Sequence, residues 1–447
     1  MQLLKRLNLL KSSLVALILA QIAQRLFFIT DNHFIALLGH KLLLIHSIPF
    51  GLSMFGQFVG MACTTTVLVL WNRSGFKPYQ GKIFLIIALI VLLVMLVFFI
   101  IFASFSSLIL NHFHVTQQNP HYHIALIYFL ISLLNICLLA FFGLIGGILI
   151  AQSKASSFCL LSVILLLTKW IINSFIVDWL ALPPYTKLLI IGGSTGLILL
   201  MLIIIAGIYG LHAVNFKAFP SLSTVTSIWM SEFWLGVIRA STPFLITLQL
   251  AVIHKYLIVT YQLVIHLAYL ICIPLSSCIN LGVKQASALV SKNKGNWLNL
   301  VLKQFFYKGL LPTEILLVVT ILFCSTVFSY LYNQTLSRPQ HIFVLCFLLA
   351  TMIGQISNLM TIVIRAYKKN HWITLNFLLS ELIVMVGGIQ MSIYFGWATT
   401  LLAGLFYIAF TTAYLFLNTI ALVQLVGRKR LKAWCSKDVT LLKSGLS

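Results

Sequence analysis

The stretch from Ile83 to Asn111, IFLIIALIVLLVMLVFFIIFASFSSLILN, contains no charged side chain. A helix needs about 20 apolar residues to cross a hydrocarbon core, so this stretch can span a membrane with some tilt or a kink. The whole chain has the same character, since 61% of its 447 residues are hydrophobic and 8% are charged. A soluble protein would be about one quarter charged. The sequence therefore predicts an all-α polytopic membrane protein without a sizeable soluble domain.

Twelve candidate spans follow one another along the chain. They fall near 13–34, 43–70, 83–111, 122–150, 156–180, 186–211, 233–254, 256–283, 309–332, 340–365, 371–394 and 398–427. The least apolar interior stretch, 212–232, separates six spans from six. This predicts two six-helix bundles, 1–211 and 233–427, joined by a cytoplasmic linker at 212–232 and followed by a basic cytoplasmic tail at 428–447.

The basic residues predict how the spans are oriented. Twenty-two Lys and Arg residues lie in or beside one set of loops and the two ends, whereas four lie on the opposite side: Lys41, Lys187, Lys255 and Arg338. Because short cytoplasmic loops collect Lys and Arg, both termini are predicted to be cytoplasmic in a bacterial inner membrane. The net charge of +23 then reflects topology anchors that can touch anionic lipid, and no nucleic-acid partner is predicted.

The two predicted halves share local features. Each second span contains an Ile-Pro pair, ending at Pro49 and Pro274, and then a glycine followed by small polar residues, over 60–75 and 282–295. A duplicated six-span unit is typical of transporters built from repeats, the alternative being chance similarity between loop entries. The sequence has no phosphate-cradling Walker motif and no nucleophile–base arrangement, so neither ATP-driven transport nor membrane enzyme chemistry is predicted.

The order of these motifs resembles that of the multidrug and toxic compound extrusion (MATE) transporters, within the multidrug/oligosaccharidyl-lipid/polysaccharide (MOP) flippase superfamily. In that family the first span carries an Asp, six unspecified residues and then Leu-Gly, a pattern that Asp31, Leu38 and Gly39 match. Further matches to the second, seventh and eighth spans of the family are Gly60–Gly75, Pro243, Gln249, Gln262, Pro274 and Gly282. The resemblance covers essentially the whole chain.

The resemblance implies two six-helix bundles around a central cavity and transport driven by inward flow of H⁺ or Na⁺. The predicted function is an ion-coupled antiporter that exports small organic molecules such as drugs, metabolites or siderophores by alternating access, as a monomer without a cofactor. A flippase for lipid-linked sugars of the same superfamily is the alternative, because Arg25, Lys169 and Lys284 could form a cationic cavity for a pyrophosphate.

The candidate coupling site begins with Asp31. The chain has only six acidic residues, and a carboxylate at membrane depth costs about 2.5–3.5 kcal/mol on insertion scales. A buried carboxylate can exchange protons near neutral pH, whereas an interfacial Asp31 would cap the second helix or pair with Lys41. The resemblance adds Asn173 and Asp178 as coupling residues, although they are five residues apart here and four apart in many relatives.

Seven further polar residues are predicted to line the substrate cavity: Gln21, Arg25, Lys169, Gln249, His254, Gln262 and Glu381. Gln21 and Arg25 are four residues apart and share a helix face, and so do Lys169 and Asn173. The seventh span lacks the carboxylate of many relatives and has His254 nearby. For Arg25 the alternative is snorkelling to the interface, and for Glu381 it is pairing inside the bundle. Two cations among few acids predict neutral, zwitterionic or anionic cargo.

Neither metal binding nor disulfide formation is predicted. The loop NHFHVTQQNPHYHI holds four histidines without a carboxylate or thiol nearby, which favours a surface loop over a transition-metal site: His112, His114, His121 and His123. The eight cysteines are scattered, and seven of them lie inside apolar runs. This distribution is typical of small buried side chains.

Overall fold

The computed structural model describes six ranges of the chain: 2–71, 80–152, 154–211, 222–279, 302–367 and 369–426. Every regular element in these ranges is helical. The main helices are α1 (Gln2–Leu38), α2 (His40–Trp71), α3 (Gln80–Ser104), α4 (Tyr122–Ala151), α5 (Ala155–Ser174), α6 (Pro184–Leu211), α7 (Leu222–Ile253), α8 (Lys255–Ile271), α9 (Leu311–Leu322), α10 (Arg338–Ala366), α11 (Asn370–Leu379) and α12 (Thr400–Val426). Helices satisfy their own backbone hydrogen bonds, as a hydrocarbon solvent requires. The predicted all-α membrane fold is confirmed.

Shorter helical pieces extend α3, α5, α8, α9 and α11. In chain order they are Ser106–His112, Phe175–Trp179, Ile273–Ile279, Phe306–Leu310, Cys324–Tyr332, Ser380–Val386 and Gly387–Tyr394. The chain bends by 58° where α8 meets its continuation. Three of the pieces are π-helical turns, one ending α5, one preceding α9 and one inside the α11 segment. Such turns are frequent at functional sites.

Helix α3 shows how one apolar sequence serves two environments. Its buried residues recur every three or four positions: Ile83, Ile87, Val91, Met95 and Phe98. Leu89 and Leu93, on another face, are 63% and 65% exposed. An exposed apolar face on a helix of this length is suited to contact with lipid.

The number of spans agrees with the prediction of about twelve. Nine helices in the described ranges are long and apolar enough to cross a membrane, or ten if bent α8 and its continuation count as one span. Helices α1 and α7, with 37 and 32 residues, bring the long segments to twelve.

The first two helices are separated by a single residue, Gly39. Its φ of +134° lies in a region that side chains with a Cβ rarely adopt, so glycine is required where α1 turns into α2. This explains the Leu-Gly that closes the motif beginning at Asp31, because the motif ends where the helix ends.

The two halves pack in the same order. Helix α1 packs on α5, α2 on α4 and α4 on α6, and the corresponding pairs α7 with α11, α8 with α10 and α10 with α12 are also in contact. The chain therefore forms two six-helix bundles. Contacts between the bundles run from α1, α2 and α3 to α7, α8 and the helix Cys324–Tyr332.

Small residues bring α2 and α4 close together. A Cβ added to Gly143 of α4 would lie 2.5 Å from the Cα of Gly60 in α2. The Thr64 hydroxyl of α2 donates to the Gly143 carbonyl oxygen at 2.8 Å. Close backbone approach through small residues is a common way of packing helices in membranes.

Some boundaries differ from the sequence-based prediction. Helix α7 begins at Leu222, inside the segment predicted as a linker, because a Ser/Thr-rich stretch continues the helix despite its polarity. The rest of that linker, the glycine-flanked loop at 282–295 with Lys284, and the basic tail at 428–447 lie outside the described residues. Pro49 lies near the start of α2 whereas Pro274 follows the bend of α8, so the two Ile-Pro pairs sit at different depths.

The four basic residues assigned to the sparsely charged side occupy equivalent positions in four helices. Each lies within the first turn of an even-numbered helix: Lys41 in α2, Lys187 in α6, Lys255 in α8 and Arg338 in α10. Consecutive spans alternate in direction, so these four residues lie at one end of the protein. Which end faces the cytoplasm remains a prediction.

Candidate functional site

Asp31 lies in the last third of α1 and is 7% exposed. The Lys169 ammonium of α5 is 2.9 Å from Asp31 Oδ1. Asn173, one turn further along α5, donates from Nδ2 to the same oxygen at 2.8 Å. Lys169 and Asn173 therefore do share a helix face, and that face is directed at the carboxylate of α1. Asp31 pairs with Lys169, in place of the alternatives of capping α2 or pairing with Lys41.

Helix α6 completes the surroundings of the ammonium. Lys169 Nζ donates to the Ile191 carbonyl oxygen at 3.0 Å and to the Thr195 hydroxyl. The Thr195 hydroxyl is also 3.3 Å from Asp31 Oδ2. An ammonium has three N–H donors, and all three have an oxygen partner here. The Lys169 side chain is 0% exposed and is part of the Asp31 cluster.

Further polar groups surround this cluster. The Asn173 Oδ1 and Asn32 Nδ2 atoms are buried without a hydrogen-bond partner in the described ranges. His46 of α2 hydrogen-bonds the Tyr128 hydroxyl of α4, and both groups lie within electrostatic range of Asp31. The cluster therefore holds groups that can accept or donate a proton next to the charge pair.

Asp178, the third predicted coupling residue, is separate from the cluster. It is exposed in the π-helical turn after α5, where it accepts a hydrogen bond from Ser174 at 2.9 Å. Asn173 is buried whereas Asp178 is exposed, so the two side chains lie in different surroundings. The structure thus brings Asn173 to Asp31 and leaves Asp178 apart.

Arg25 lies on another face of α1, between the two bundles. Its Nη1 donates to Gln57 Oε1 of α2, and its Cζ is 4.8 Å from the centre of the Tyr269 ring of α8. Within the described residues it has no carboxylate partner. Arg25 is half-buried, and its guanidinium without a counter-ion leaves a net positive charge where the bundles meet.

Gln21 joins the same contact one turn earlier on α1. Its Oε1 accepts hydrogen bonds from the hydroxyls of Ser276 and Ser277, in the continuation of α8, at 3.0 and 2.9 Å. Phe28, one turn after Arg25, has its ring 5.8 Å from that of His266 in α8. One face of α1 is therefore a polar contact with the second bundle.

The remaining predicted cavity residues belong to the second bundle. Gln249 of α7 donates to the Val386 carbonyl oxygen at 2.9 Å, in the π-helical part of the α11 segment. Glu381, in the same part, is 1% exposed and lies within electrostatic range of the hydrogen-bonded tyrosines of α8 and α12. Gln262 donates to Thr247 at 2.9 Å, whereas His254 is exposed between α7 and α8. These residues form no single group with Gln21 and Arg25.

The histidine-rich loop makes separate contacts. His112 donates from Nε2 to the Leu248 carbonyl oxygen of α7 at 3.0 Å, and the His121 ring stacks on Tyr185 at 3.7 Å. In the part of the chain that the structure describes, no three His, Cys, Asp or Glu side chains are arranged to hold a metal ion.

Solved structures with the same arrangement of helices are known. A MATE transporter crystallised with MaL6 has a TM-score of 0.71 and 11% identity, with 95% of this chain and 96% of that chain covered. A mutant of the Vibrio cholerae MATE transporter VcmN has a TM-score of 0.70 and 12% identity, with 94% and 96% covered. The chain has the fold of the MATE transporters. No family model matches the sequence, and no curated protein does.

A third structure with the MATE fold differs in the character of its pocket. It is a MOP-superfamily transporter from Pyrococcus furiosus, with a TM-score of 0.70, 12% identity and 96% and 97% of the two chains covered. It is described as having a binding pocket of reverse polarity that suggests a different function.

Within the MATE fold of this chain, α1 makes polar contacts on two faces. Gln24, Phe27 and Asp31 are directed at α5, where Gln24 donates to Ser162 at 3.3 Å and the Phe27 ring lies 5.7 Å from the Lys169 ammonium. The other face, with Arg25, contacts α8. Asp31 and Arg25 are therefore parts of one helix that contacts both α5 of its own bundle and α8 of the other.

Proposed function

We propose that this chain is an ion-coupled exporter of small organic molecules that works by alternating access between its two bundles. The observation that carries the proposal is the buried Asp31–Lys169 pair, held by Asn173 and Thr195 inside the first bundle. Ionisable residues inside a membrane are costly and rare, and those that occur usually serve a function. The MATE fold supplies the two bundles that alternating access requires.

The coupling step follows from the two faces of α1. Protonation of Asp31 removes the negative charge that holds Lys169, so the contact between α1 and α5 weakens. Helix α1 also contacts α8 through Gln21 and Arg25, and these contacts must break and re-form when the bundles move. Proton binding and bundle movement are thereby linked through one helix.

The cargo that fits this charge distribution is neutral, zwitterionic or anionic. Lys169 is neutralised by Asp31, so Arg25 is the cation left at the junction of the bundles in the described part of the chain. The Pyrococcus furiosus transporter of reverse pocket polarity shows that the same fold accommodates a different pocket charge. Arg25 also favours the alternative function, a flippase that binds the pyrophosphate of a lipid-linked sugar.

The protein is proposed to act in a bacterial inner membrane with both termini in the cytoplasm. The test is export from everted membrane vesicles under an imposed proton or sodium gradient. Asp31→Asn should abolish gradient-driven export per folded molecule while substrate binding survives. The matched control is Asp178→Asn, an exposed carboxylate outside the cluster, which should transport like the wild type.

Two results would refute the proposal. One is export by Asp31→Asn at the wild-type rate per folded molecule. The other is the absence of any gradient-driven export by the wild type, combined with translocation of a fluorescent lipid-linked sugar in proteoliposomes. The second result would select the flippase.

A further inference from the structure

The Lys169 ammonium has the surroundings of a bound monovalent cation. Its three partners are a carboxylate oxygen of Asp31, the Thr195 hydroxyl and the Ile191 carbonyl oxygen. These partners come from two helices other than its own, α1 and α6. Carboxylate, hydroxyl and carbonyl oxygens are the ligands that hard cations prefer, and Na⁺ sites in secondary transporters are built from such groups.

We propose that the Lys169 ammonium occupies a monovalent-cation site between α1, α5 and α6, so that the chain carries this cation on its own side chain and exchanges only a proton at Asp31. This inference rests on the proposed function for the role of the site in transport. The occupancy of the site is a separate property, which can be measured without transport.

Charge balance supports this assignment. With Lys169 present the pair is neutral, and an additional Na⁺ would leave an uncompensated charge in a buried place. All three N–H groups of the ammonium are used, and its side chain is fully buried, so it cannot reach a cargo molecule between the bundles. Lys169 therefore excludes Na⁺ from the oxygens that could bind it.

Removing the lysine side chain should uncover the site. In Lys169→Ala the Asp31 carboxylate, the Thr195 hydroxyl and the Ile191 carbonyl lose their cation. Asn173 Oδ1, a buried acceptor without a partner in the described residues, is available beside them. Among the described residues, His46 and Tyr128 are titratable groups in electrostatic range of Asp31, and they form a hydrogen bond with each other.

The experiment compares purified proteins in NaCl, LiCl and choline chloride at equal ionic strength. The melting temperature of the wild type should be the same in all three salts. That of Lys169→Ala should rise in NaCl or LiCl, saturably and by on the order of a few degrees, as expected for an ion that binds only the folded state. Lys169→Met is the matched control. Its thioether side chain fills the space that the lysine occupied, so no ion can enter between the oxygens. It should not respond.

A second variant keeps the test decisive if Lys169→Ala is unstable. The double variant Asp31→Asn, Lys169→Ala lacks both charges and should fold without a response to Na⁺ or Li⁺. If Lys169→Ala can be purified only in NaCl or LiCl, the proposal is supported. If it fails in all three salts while the double variant folds, the emptied site does not bind Na⁺ or Li⁺ and the proposal is wrong.

The proposal is also overturned if folded Lys169→Ala ignores Na⁺ and Li⁺, or if the wild type shows saturable stabilisation by Na⁺ that Asp31→Asn removes. None of these outcomes depends on export. Failure here is therefore distinguishable from failure of the proposed function, which the vesicle assay measures.

Discussion

The Asp31–Lys169 pair should be much less costly to remove as a whole than to break. The side chains are 10% and 0% exposed, so water cannot solvate a charge that loses its partner. Breaking a buried pair by removing one partner costs about 3–5 kcal/mol, whereas replacing both charges is often neutral. We therefore expect Lys169→Met to lower the free energy of unfolding by about 3–5 kcal/mol. Asp31→Asn should lie near the lower end, because the amide oxygen can still accept from Lys169.

The assay is a double-mutant cycle on protein in mild detergent, with the free energy of unfolding taken from denaturant titrations. The double variant Asp31→Asn, Lys169→Met should be close to the wild type, so the coupling free energy equals the sum of the two single costs, about 6–8 kcal/mol. Asp178→Asn and Lys187→Met provide a matched control cycle, because neither residue takes part in the buried pair. Lys187 donates instead to the Val177 carbonyl oxygen at 2.7 Å. Because Asp178 is exposed, the coupling free energy in the control cycle should not exceed about 1 kcal/mol.

Additivity in the first cycle would refute this reasoning. If the two single variants together account for the stability of the double variant, Asp31 and Lys169 do not interact as a charge pair in the membrane-embedded protein. The coupling mechanism and the occupied-cation site would then both lose their basis.

Three further predictions address the cargo, the packing and the topology. Arg25→Gln should reduce the export of anionic cargo from everted vesicles by roughly tenfold, since a hydrogen bond to a charged group contributes about 1.5–3 kcal/mol. The export of neutral cargo should change little. Equal losses for both cargoes would contradict the role of charge. Gly143→Ala should destabilise the packing of α2 on α4 by about 1–3 kcal/mol, measured by thermal unfolding. Gly193→Ala is the control and should have no such effect, because nothing lies within 4 Å of the added Cβ. Equal effects of the two substitutions would contradict the close approach of the helices. A reporter active only in the periplasm should give signal after Thr116 and none after Val214, and the opposite pattern at either site would exclude cytoplasmic termini.

The spans were predictable because the hydrocarbon solvent leaves few choices. It demands long apolar helices, and runs such as 83–104 fulfil that demand without help from distant parts of the chain. The start of α7 was not predictable on the same basis. Its first turns contain Ser and Thr, which lower hydropathy without preventing a helix. The linker prediction at 212–232 was therefore too long.

The cluster was predictable only in part. Asp31 stood out because acidic residues are rare, and the spacing of Lys169 and Asn173 placed them on one face. The partner of that face lies 138 residues away from Lys169 and could not be derived from local spacing. Thr195 and the Ile191 carbonyl carry no sequence signal at all, since hydroxyl residues are common in membrane helices and every residue has a carbonyl oxygen.

The position of Asp31 on α1 explains how a site inside one bundle can influence the other. A helix places residues on one side every three or four positions, so Gln24, Phe27 and Asp31 face α5 while Gln21 and Arg25 face α8. The two sets interleave along the same roughly three turns of one continuous helix. A shift of α1 that relaxes its contact with α5 must therefore displace the polar contacts with α8 as well. The proposed coupling between Asp31 and the bundle interface then needs no chain of intermediate residues, because both are parts of one helix.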